Sequence, residues 1–400
     1  MENSWYVAAI WMGLALVASL ISIRVGISVA LVEILVGVLA GNYLGVKPNA
    51  DWINFLAMLG SGVLTFLAGA EIDPVSLKAN LRASLLVGAV AFLLPFLGVW
   101  AFAQFALGWT RPEAQIAGIA LSTTSVAVVY AVMIETGLNN TPLGKMILAA
   151  CFINDFGTVL ALGLIFANFN IWLAVFVGVT AVMLWFMPRW TQFIIAKLGA
   201  TRVSEPEVKF IFLVLFFLGG LASTAKSEAV LPAYLVGLVV AGVFLRDKTL
   251  VHRMRTIAFT IFTPFYFLKA GTLVSVPVLW SAIGVIFVLL LLKMSTKVIG
   301  VWPLSRYFWM RQREANYTTL LMSTGLTFGT ISALFGLQNK IIDQRQYSIL
   351  VTVVILSAFV PTLIAERLFK PKVRTMHAWG RLYRRKINHR ATPQPQFAQE

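Results

Sequence analysis

The sequence contains few charged residues. Only 12% of its 400 residues are charged, whereas 59% are hydrophobic and the mean hydropathy is +0.84. A soluble chain of this length could not bury so much apolar surface, so lipid must be its main solvent. The composition therefore excludes an ordinary soluble protein and predicts an all-α polytopic membrane protein.

Cysteine and histidine are almost absent. The single cysteine, Cys151, excludes an intrachain disulfide and is interpreted as a packing residue rather than a reactive thiol. The three histidines, His252, His377 and His389, fall in segments expected to be cytoplasmic and do not suggest a metal cluster. Because no phosphate-binding loop or catalytic constellation is recognisable either, the sequence predicts neither an enzyme nor a cofactor.

Acidic residues are half as common as basic ones, 16 against 32, which gives a net charge of +16. The basic residues concentrate in alternate polar loops, the positive-inside pattern of membrane proteins. This pattern predicts a plasma (inner) membrane protein with its N-terminus outside and its C-terminus in the cytoplasm. The basic tail at 370–400 is expected to lie against anionic lipid headgroups, and nucleic-acid binding is not expected.

Long hydrophobic runs are abundant. A span needs about 20 apolar residues, and on this basis the sequence predicts thirteen transmembrane helices within one membrane domain, 1–369. The predicted spans are 6–23, 27–44, 52–70, 84–109, 115–134, 143–167, 171–187, 210–223, 229–245, 257–274, 277–303, 317–337 and 347–364.

The sixth predicted span carries a carboxylate near its centre, in the run CFINDFGT at 151–158. Because an aspartate at that depth costs roughly 2.5–3.5 kcal/mol on insertion scales, Asp155 is the first candidate for a transport residue. Burial disfavours its charged form, and carboxylate oxygens bind both protons and hard cations. The amide oxygen of Asn154 and the hydroxyl of Thr158 are candidate cation ligands. The amide nitrogen of Asn154 is a candidate donor to an unwound backbone carbonyl.

Two spans combine hydroxyls and glycines near mid-membrane depth. Span five has LSTTS at 121–125 and span twelve has STGLTFGTIS at 323–332. Such clusters are typical of helices that break where they line a cavity, although small residues also allow close helix packing. Spans seven apart run in opposite directions, so the pair predicts inverted repeats with a transport site at the midplane. The residues assigned to these breaks are Thr123, Ser125, Thr324, Gly325, Thr327 and Gly329, with Thr124 as a further cation ligand.

Two lysines, Lys293 and Lys297, lie one helical turn apart in the eleventh span. Lys297 is predicted either to balance Asp155 or to satisfy carbonyls at the C-terminal ends of the half-helices. The alternative for both lysines is that their side chains extend to the cytoplasmic surface.

Five further charged residues lie in or at the ends of spans. Glu71 and Asp73, at the end of span three, are candidates for a cation-attracting cytoplasmic funnel or an ion pair. Glu228 and Lys269 are candidates for pairing with each other. Glu33, in span two, is expected to anchor an interface or to bond a neighbouring helix.

In their order and spacing, these elements resemble the monovalent cation:proton antiporters of the sodium/proton exchanger superfamily, in particular the NapA-like and Kef-like bacterial branch. The resemblance covers about residues 6–366. It rests on EILVGVLAG at 33–41, FLAGAEID at 66–73, the LSTTS run, the pair Asn154-Asp155, TKVIG at 296–300 and STGLTFGT at 323–330.

The resemblance implies a fold in which core helices, at about 84–167 and 277–364, carry two crossed broken helices. The remaining helices would form a dimerisation scaffold in a homodimer, and the core would move against it as an elevator. The implied activity is exchange of Na⁺ or K⁺ for H⁺ across the lipid bilayer. In this reading Asp155 binds the proton and the cation in competition.

One departure from part of the family concerns stoichiometry. Electrogenic members carry two adjacent aspartates, the first of which pairs with the lysine, whereas here the first position is Asn154. A single titrating carboxylate favours electroneutral one-for-one exchange and leaves Lys297 without its usual partner. The alternatives are a sodium-coupled symporter of an organic anion on a related fold and a channel-like or sensor protein. A pH-gradient assay with added cations distinguishes them.

Overall fold

The computed structural model describes residues 4–25, 28–48, 50–70, 72, 81–136, 138, 141–166, 171–198, 205–225, 230–308 and 310–371. Within these ranges all regular structure is helical, which confirms the predicted all-α class. The helices are α1 Ser4–Val25, α2 Val29–Tyr43, α3 Asp51–Ala70, α4 Leu81–Phe105, α5 Arg111–Ser122, α6 Val126–Glu135, α7 Pro142–Ile165, α8 Ile171–Leu198, α9 Pro206–Thr224, α10 Val230–Arg246, α11 Lys248–Ile257, α12 Thr263–Thr272, α13 Val276–Ser281, α14 Ile283–Tyr307, α15 Gln312–Met322, α16 Thr327–Gln338 and α17 Gln344–Ile364.

The helix lengths confirm a protein that crosses a membrane many times. In the described ranges nine helical segments are long and apolar enough to span a bilayer, when α15 and α16 are taken together, and α2 and α10 are shorter apolar helices. The predicted fifth span is divided between α5 and α6. The predicted tenth begins in a π-helical turn, Ala258–Phe262, ahead of α12. The number of thirteen spans therefore stays a prediction.

Local sequence determines where two of the site helices begin. The backbone N–H of Thr110 donates to Glu113 Oε2 at 2.7 Å ahead of α5. Thr141 Oγ1 accepts from the N–H of Gly144 at 3.1 Å at the start of α7. Both contacts satisfy groups that would otherwise be unpaired at a helix N-terminus, so the sequence fixes the register of the polar residues that follow.

Helix packing divides the described helices into two bundles. The site bundle contains α4–α7 and α13–α17, and the flanking bundle contains α1–α3 and α8–α12. In the described ranges, the most extensive packing between the bundles joins α7 to α10. One continuous apolar core extends across both bundles, so the helix that carries Asp155 lies at the junction.

Candidate ion-binding site at two helix breaks

The first helix break separates α5, which ends at Ser122, from α6. Residues 123–125 are non-helical and buried. The hydroxyl of Thr123 donates to Ala120 O at 3.0 Å, which satisfies a carbonyl in the last turn of α5. Ser125 Oγ accepts from the N–H of Val128 at 3.3 Å and thereby caps the start of α6. The clustered hydroxyls therefore replace part of the hydrogen bonding that the break removes.

The second break separates α15 from α16 and has the same character. The hydroxyl of Ser323 donates to Thr319 O at 2.8 Å, and that of Thr324 donates to Leu321 O at 2.8 Å. Helix α16 then begins at Thr327. Both predicted helix breaks are present, and each lies within the run that predicted it. Thr324 and Gly325 lie in the second break as expected, whereas the assignment of Thr327 and Gly329 to it is wrong, because both lie in the first turn of α16.

Two hydrogen bonds join the breaks to each other. The backbone N–H of Ser125 donates to Thr324 O at 3.1 Å. The hydroxyl of Thr124 donates to Met322 O, the last residue of α15, at 2.8 Å. The two interrupted helices therefore meet at their non-helical residues, where backbone groups are free to bind partners other than their own helix.

Gly325 and Gly329 allow this close approach. A methyl group added at Gly329 would lie 3.0 Å from Thr123 Oγ1, in the first break. A methyl group at Gly325 would contact Lys293 Nζ and would lie 3.1 Å from Ser357 Oγ. Any larger residue at either position would push neighbouring polar groups out of place.

Asn154 of α7 bridges the first break from outside it. Its Oδ1 accepts from the N–H of Thr124 at 2.8 Å, and its Nδ2 donates to Ser122 O at 3.2 Å. The expected bond from the amide nitrogen to an unwound carbonyl is therefore present. The side chain is fully buried, so both bonds form away from water and fix α7 against the break.

Asp155 is buried next to this bridge. The residue is 1% exposed, and its Oδ1 accepts no hydrogen bond from any described residue. On the same helix, the hydroxyl of Thr158 donates to Asn154 O at 3.1 Å. The Thr158 oxygen keeps its lone pairs, because a hydroxyl both donates and accepts. A buried carboxylate oxygen without a donor is costly, and a bound proton or cation would relieve that cost.

Lys297 of α14 also binds the first break. Its Nζ donates to Ser122 O at 2.8 Å and to Thr124 Oγ1 at 2.9 Å. Of its two predicted roles, the structure contains the bond to the C-terminal carbonyl of a half-helix. Within the described part of the chain, it contains no ion pair of Lys297 with Asp155 within 4.0 Å.

Lys293 lies one turn earlier and donates to Ser357 Oγ at 2.9 Å. Neither Lys293 nor Lys297 has any exposed surface. The alternative that these side chains extend to the cytoplasmic surface is therefore wrong. Lys293 instead lies beside Gly325, so the two lysines contact different helix breaks.

The remaining predicted residues lie elsewhere. Lys269 is on α12 in the flanking bundle and is 5% exposed. Glu33, on α2, is buried, and its Oε2 has no hydrogen-bond partner among the described residues. Glu71, Asp73 and Glu228 lie outside the described residues, so the cytoplasmic funnel and the pairing of Glu228 with Lys269 stay predictions.

Sequence reasoning missed two residues that contact this region. Ser357 accepts from Lys293, and the hydroxyl of Tyr234 donates to Phe152 O at 3.1 Å. A hydroxyl in an otherwise apolar span was the available signal for both.

Cys151 is buried with its sulfur 3.6 Å from that of Met322. Across the described ranges, no group of three or more histidine, cysteine, aspartate or glutamate residues could hold a metal ion.

Comparison with known families agrees with this geometry. A model described as "Sodium/hydrogen exchanger, transmembrane" matches residues 12–370, which include both helix breaks, Asp155 and both lysines. The chain belongs to the sodium/hydrogen exchanger family. It is therefore a multi-span member of a transporter family, as the residues in and around the breaks predicted.

Individual relatives match over most of their length. The chain is 22% identical over 387 residues to the probable Na⁺/H⁺ antiporter 3 of Methanocaldococcus jannaschii, covering 93% of this chain and 98% of that protein. It is 26% identical over 362 residues to a Na⁺/H⁺ antiporter of Enterococcus hirae, covering 88% and 94%. It is 23% identical over 381 residues to the Na⁺/H⁺-K⁺ antiporter GerN of Bacillus cereus, covering 90% and 94%.

A solved structure has a similar fold. The sodium proton antiporter MjNhaP1 of Methanocaldococcus jannaschii, determined at pH 8, superposes with a TM-score of 0.69. The match covers 91% of this chain and 98% of that chain at 15% sequence identity. At this identity the likeness establishes a shared architecture for this family member.

Proposed function

We propose that this chain exchanges a monovalent cation, Na⁺ in the first place and K⁺ in the second, for H⁺ across the membrane. The observation that carries the proposal is the buried carboxylate of Asp155, whose Oδ1 has no donor within the described residues. The relatives named above include both a Na⁺/H⁺ antiporter and a Na⁺/H⁺-K⁺ antiporter, which supports this choice of cations.

Competition at Asp155 gives a simple exchange mechanism. A proton and a cation cannot occupy the same carboxylate oxygens together, so binding one releases the other. Asn154, Thr124 and Thr158 are the proposed additional oxygen ligands. Oxygen donors of this kind suit hard cations, and Lys297 is proposed to balance the half-helix end beside them.

The proposed stoichiometry is one cation for one proton. Both ends of the Asn154 amide are engaged, one with the N–H of Thr124 and the other with Ser122 O. An amide side chain neither gains nor loses a proton at physiological pH. The described hydrogen bonds around the two breaks include no carboxylate partner. Asp155 therefore supplies the single titrating group of the cycle, and the exchange is electroneutral.

We further propose that the site bundle moves against the flanking bundle to expose Asp155 to each side in turn. Support comes from the position of α7, which carries Asp155 and packs against α10 at the junction between the bundles. The flanking bundle would provide the dimer contact of a homodimer in the plasma membrane, with the N-terminus outside and the C-terminus in the cytoplasm.

The alternative, sodium-coupled symport of an organic anion, fits these contacts less well. An anion would need a free positive group, but both hydrogen bonds of Lys297 described here go to oxygens of the first break. Lys293 likewise donates to Ser357. A buried Asp155 carboxylate would repel a bound anion.

The proposal is tested with purified protein in liposomes that carry a pH gradient and an internal pH dye. Na⁺, K⁺ and Li⁺ are added in turn, and each cation that the protein transports is expected to collapse the pH gradient. Asp155→Asn should reduce this response to that of protein-free liposomes. Asp51→Asn makes the same chemical change at an exposed position and should leave the response intact. Full exchange by Asp155→Asn would overturn the central assignment.

A further inference from the structure

The packing of α7 against α10 places a tyrosine hydroxyl beside the Asp155 turn. Tyr234 of α10 is 1% exposed, and its hydroxyl donates to Phe152 O at 3.1 Å. A carbonyl oxygen has two lone pairs, so it can accept this bond in addition to its helical one. Asp155 follows Phe152 by less than one helical turn. The hydroxyl therefore binds the same turn of α7 that carries the carboxylate.

The ring of Tyr234 packs at the same junction. Its centroid lies 6.1 Å from that of Phe156 on α7 and 6.4 Å from that of Phe328 on α16. Phe328 is the second residue after the second helix break. Aromatic pairs at this separation favour particular orientations, so the tyrosine contacts both the Asp155 helix and the start of a half-helix.

The backbone of Tyr234 belongs firmly to the flanking bundle. A methyl group at Gly69 of α3 would contact Tyr234 O, and one at Gly237 of α10 would contact Phe66 O. Helices α3 and α10 therefore lie backbone to backbone at this level. The side chain of Tyr234 consequently links one bundle, through its backbone, to the other, through its hydroxyl and ring.

The other described hydrogen bonds between the bundles lie in a different place. The hydroxyl of Tyr347 donates to Ala270 O at 2.7 Å, and the N–H of Ser275 donates to Ser348 Oγ at 3.0 Å. Gln344 Nε2 also donates to Leu273 O. These contacts surround the chain connection from α12 to α13, which already joins the bundles covalently. The Tyr234 bond lies at the Asp155 level instead.

We propose that Tyr234 is a positioning residue that holds the site bundle in the conformation described here, through its bond to Phe152, and that this bond breaks in each transport step. The proposal rests on the proposed exchange function. Breaking the bond is then part of the barrier to movement. Its removal destabilises the held conformation more than the transition state, so the exchange rate rises.

The test measures the exchange rate of Tyr234→Phe in proteoliposomes at saturating Na⁺. This change removes the hydroxyl and keeps the ring, and the expected result is a maximal rate roughly two- to tenfold higher, the size of one hydrogen bond. Tyr266→Phe is the matched control, because the buried Tyr266 hydroxyl has no hydrogen-bond partner among the described residues. Its rate should equal that of the wild type.

A merely structural role of Tyr234 predicts the opposite sign, since a loosened protein transports less. An unchanged or lower maximal rate in folded Tyr234→Phe would therefore overturn the proposal. If that variant did not fold, 4-fluorophenylalanine incorporated at position 234 would replace it: the fluorine occupies the place of the hydroxyl but cannot donate to Phe152 O, and the same increase is required. Asp155→Asn separates the two ideas. Loss of exchange in Asp155→Asn, with no effect of Tyr234→Phe, refutes only the role of Tyr234. Normal exchange in Asp155→Asn refutes the function itself.

Discussion

Lys297 and Ser122 form a hydrogen bond of 2.8 Å between a fully buried ammonium group and the last carbonyl of a half-helix. The C-terminal end of a helix carries partial negative charge on its unpaired carbonyls. The lysine therefore stabilises the helix break directly, and Asp155 is left outside its hydrogen bonds.

Lys297→Met is expected to destabilise the protein and stop exchange. The substitution leaves Ser122 O and Thr124 Oγ1 without their ammonium donor in a buried site, at a cost of about 1–3 kcal/mol. The thermal midpoint of the detergent-solubilised protein measures the loss of stability, and the exchange rate in liposomes measures the loss of transport. Lys145→Met, at an exposed position of α7, is the control and should change neither. A Lys297→Met protein as stable as the wild type would contradict the assigned bonds.

Gly325→Ala is expected to impair exchange through crowding. The added methyl group would contact Lys293 Nζ and would lie 3.0 Å from Thr123 Oγ1, so the two breaks must separate. Overpacking of this kind costs about 1–3 kcal/mol. Gly219→Ala, where no atom lies within 4 Å of the added group, is the matched control. The prediction fails if the two variants exchange Na⁺ at the same rate.

The apparent affinity for the cation should depend on pH. A proton on Asp155 excludes the cation, so lowering the pH raises the KM for Na⁺. The increase should approach about tenfold per pH unit once the carboxylate is mostly protonated. The measurement is the KM for Na⁺ at equal pH on both sides of the liposome membrane. A maximal rate that falls with pH at constant KM would contradict competition.

Exchange by the wild-type protein should not respond to membrane potential, whereas Asn154→Asp should respond. A second carboxylate can carry a second proton, so each cycle would move net charge. The substitution also removes one of the two donors to Ser122 O, the other being Lys297 Nζ, which is expected to lower stability by about 0.5–1.5 kcal/mol. Potentials set by K⁺ and valinomycin provide the measurement, with Na⁺ as the transported cation. Potential-driven Na⁺ accumulation by the wild type would refute electroneutral exchange.

A reversible cross-link tests movement between the bundles. A Cβ atom at Gly163 of α7 would lie 3.5 Å from Leu231 Cβ on α10, within the range that a disulfide requires. Cysteines at both positions, with the native thiol removed by Cys151→Ala, are expected to stop exchange when oxidised. Reductant should restore it in the same sample. Unchanged exchange by fully cross-linked protein would exclude sliding of α7 past α10.

Much of this site follows from residue types in the sequence. Hydroxyl and glycine clusters predicted both breaks, because helix interruptions need side chains that satisfy free backbone groups. The composition likewise predicted the all-α class. The choice of Lys297 between Asp155 and Ser122 O was not predictable, because it depends on distances set by the packing of α14 against α4. The role of Tyr234 depends on which carbonyl faces α10, and no periodic pattern carries that information.

The Thr124 hydroxyl extends the influence of Lys297 beyond one helix. It accepts from Lys297 Nζ and donates to Met322 O, so one ammonium group polarises the ends of both α5 and α15. Among the described residues Asp155 forms no ion pair within 4.0 Å, and in the proposed cycle the cargo would balance its charge. In the proposed cycle an empty site would have to cross with a bare carboxylate, at high electrostatic cost. The same arrangement that leaves the aspartate unpaired would therefore suppress slip, the return of an unloaded carrier.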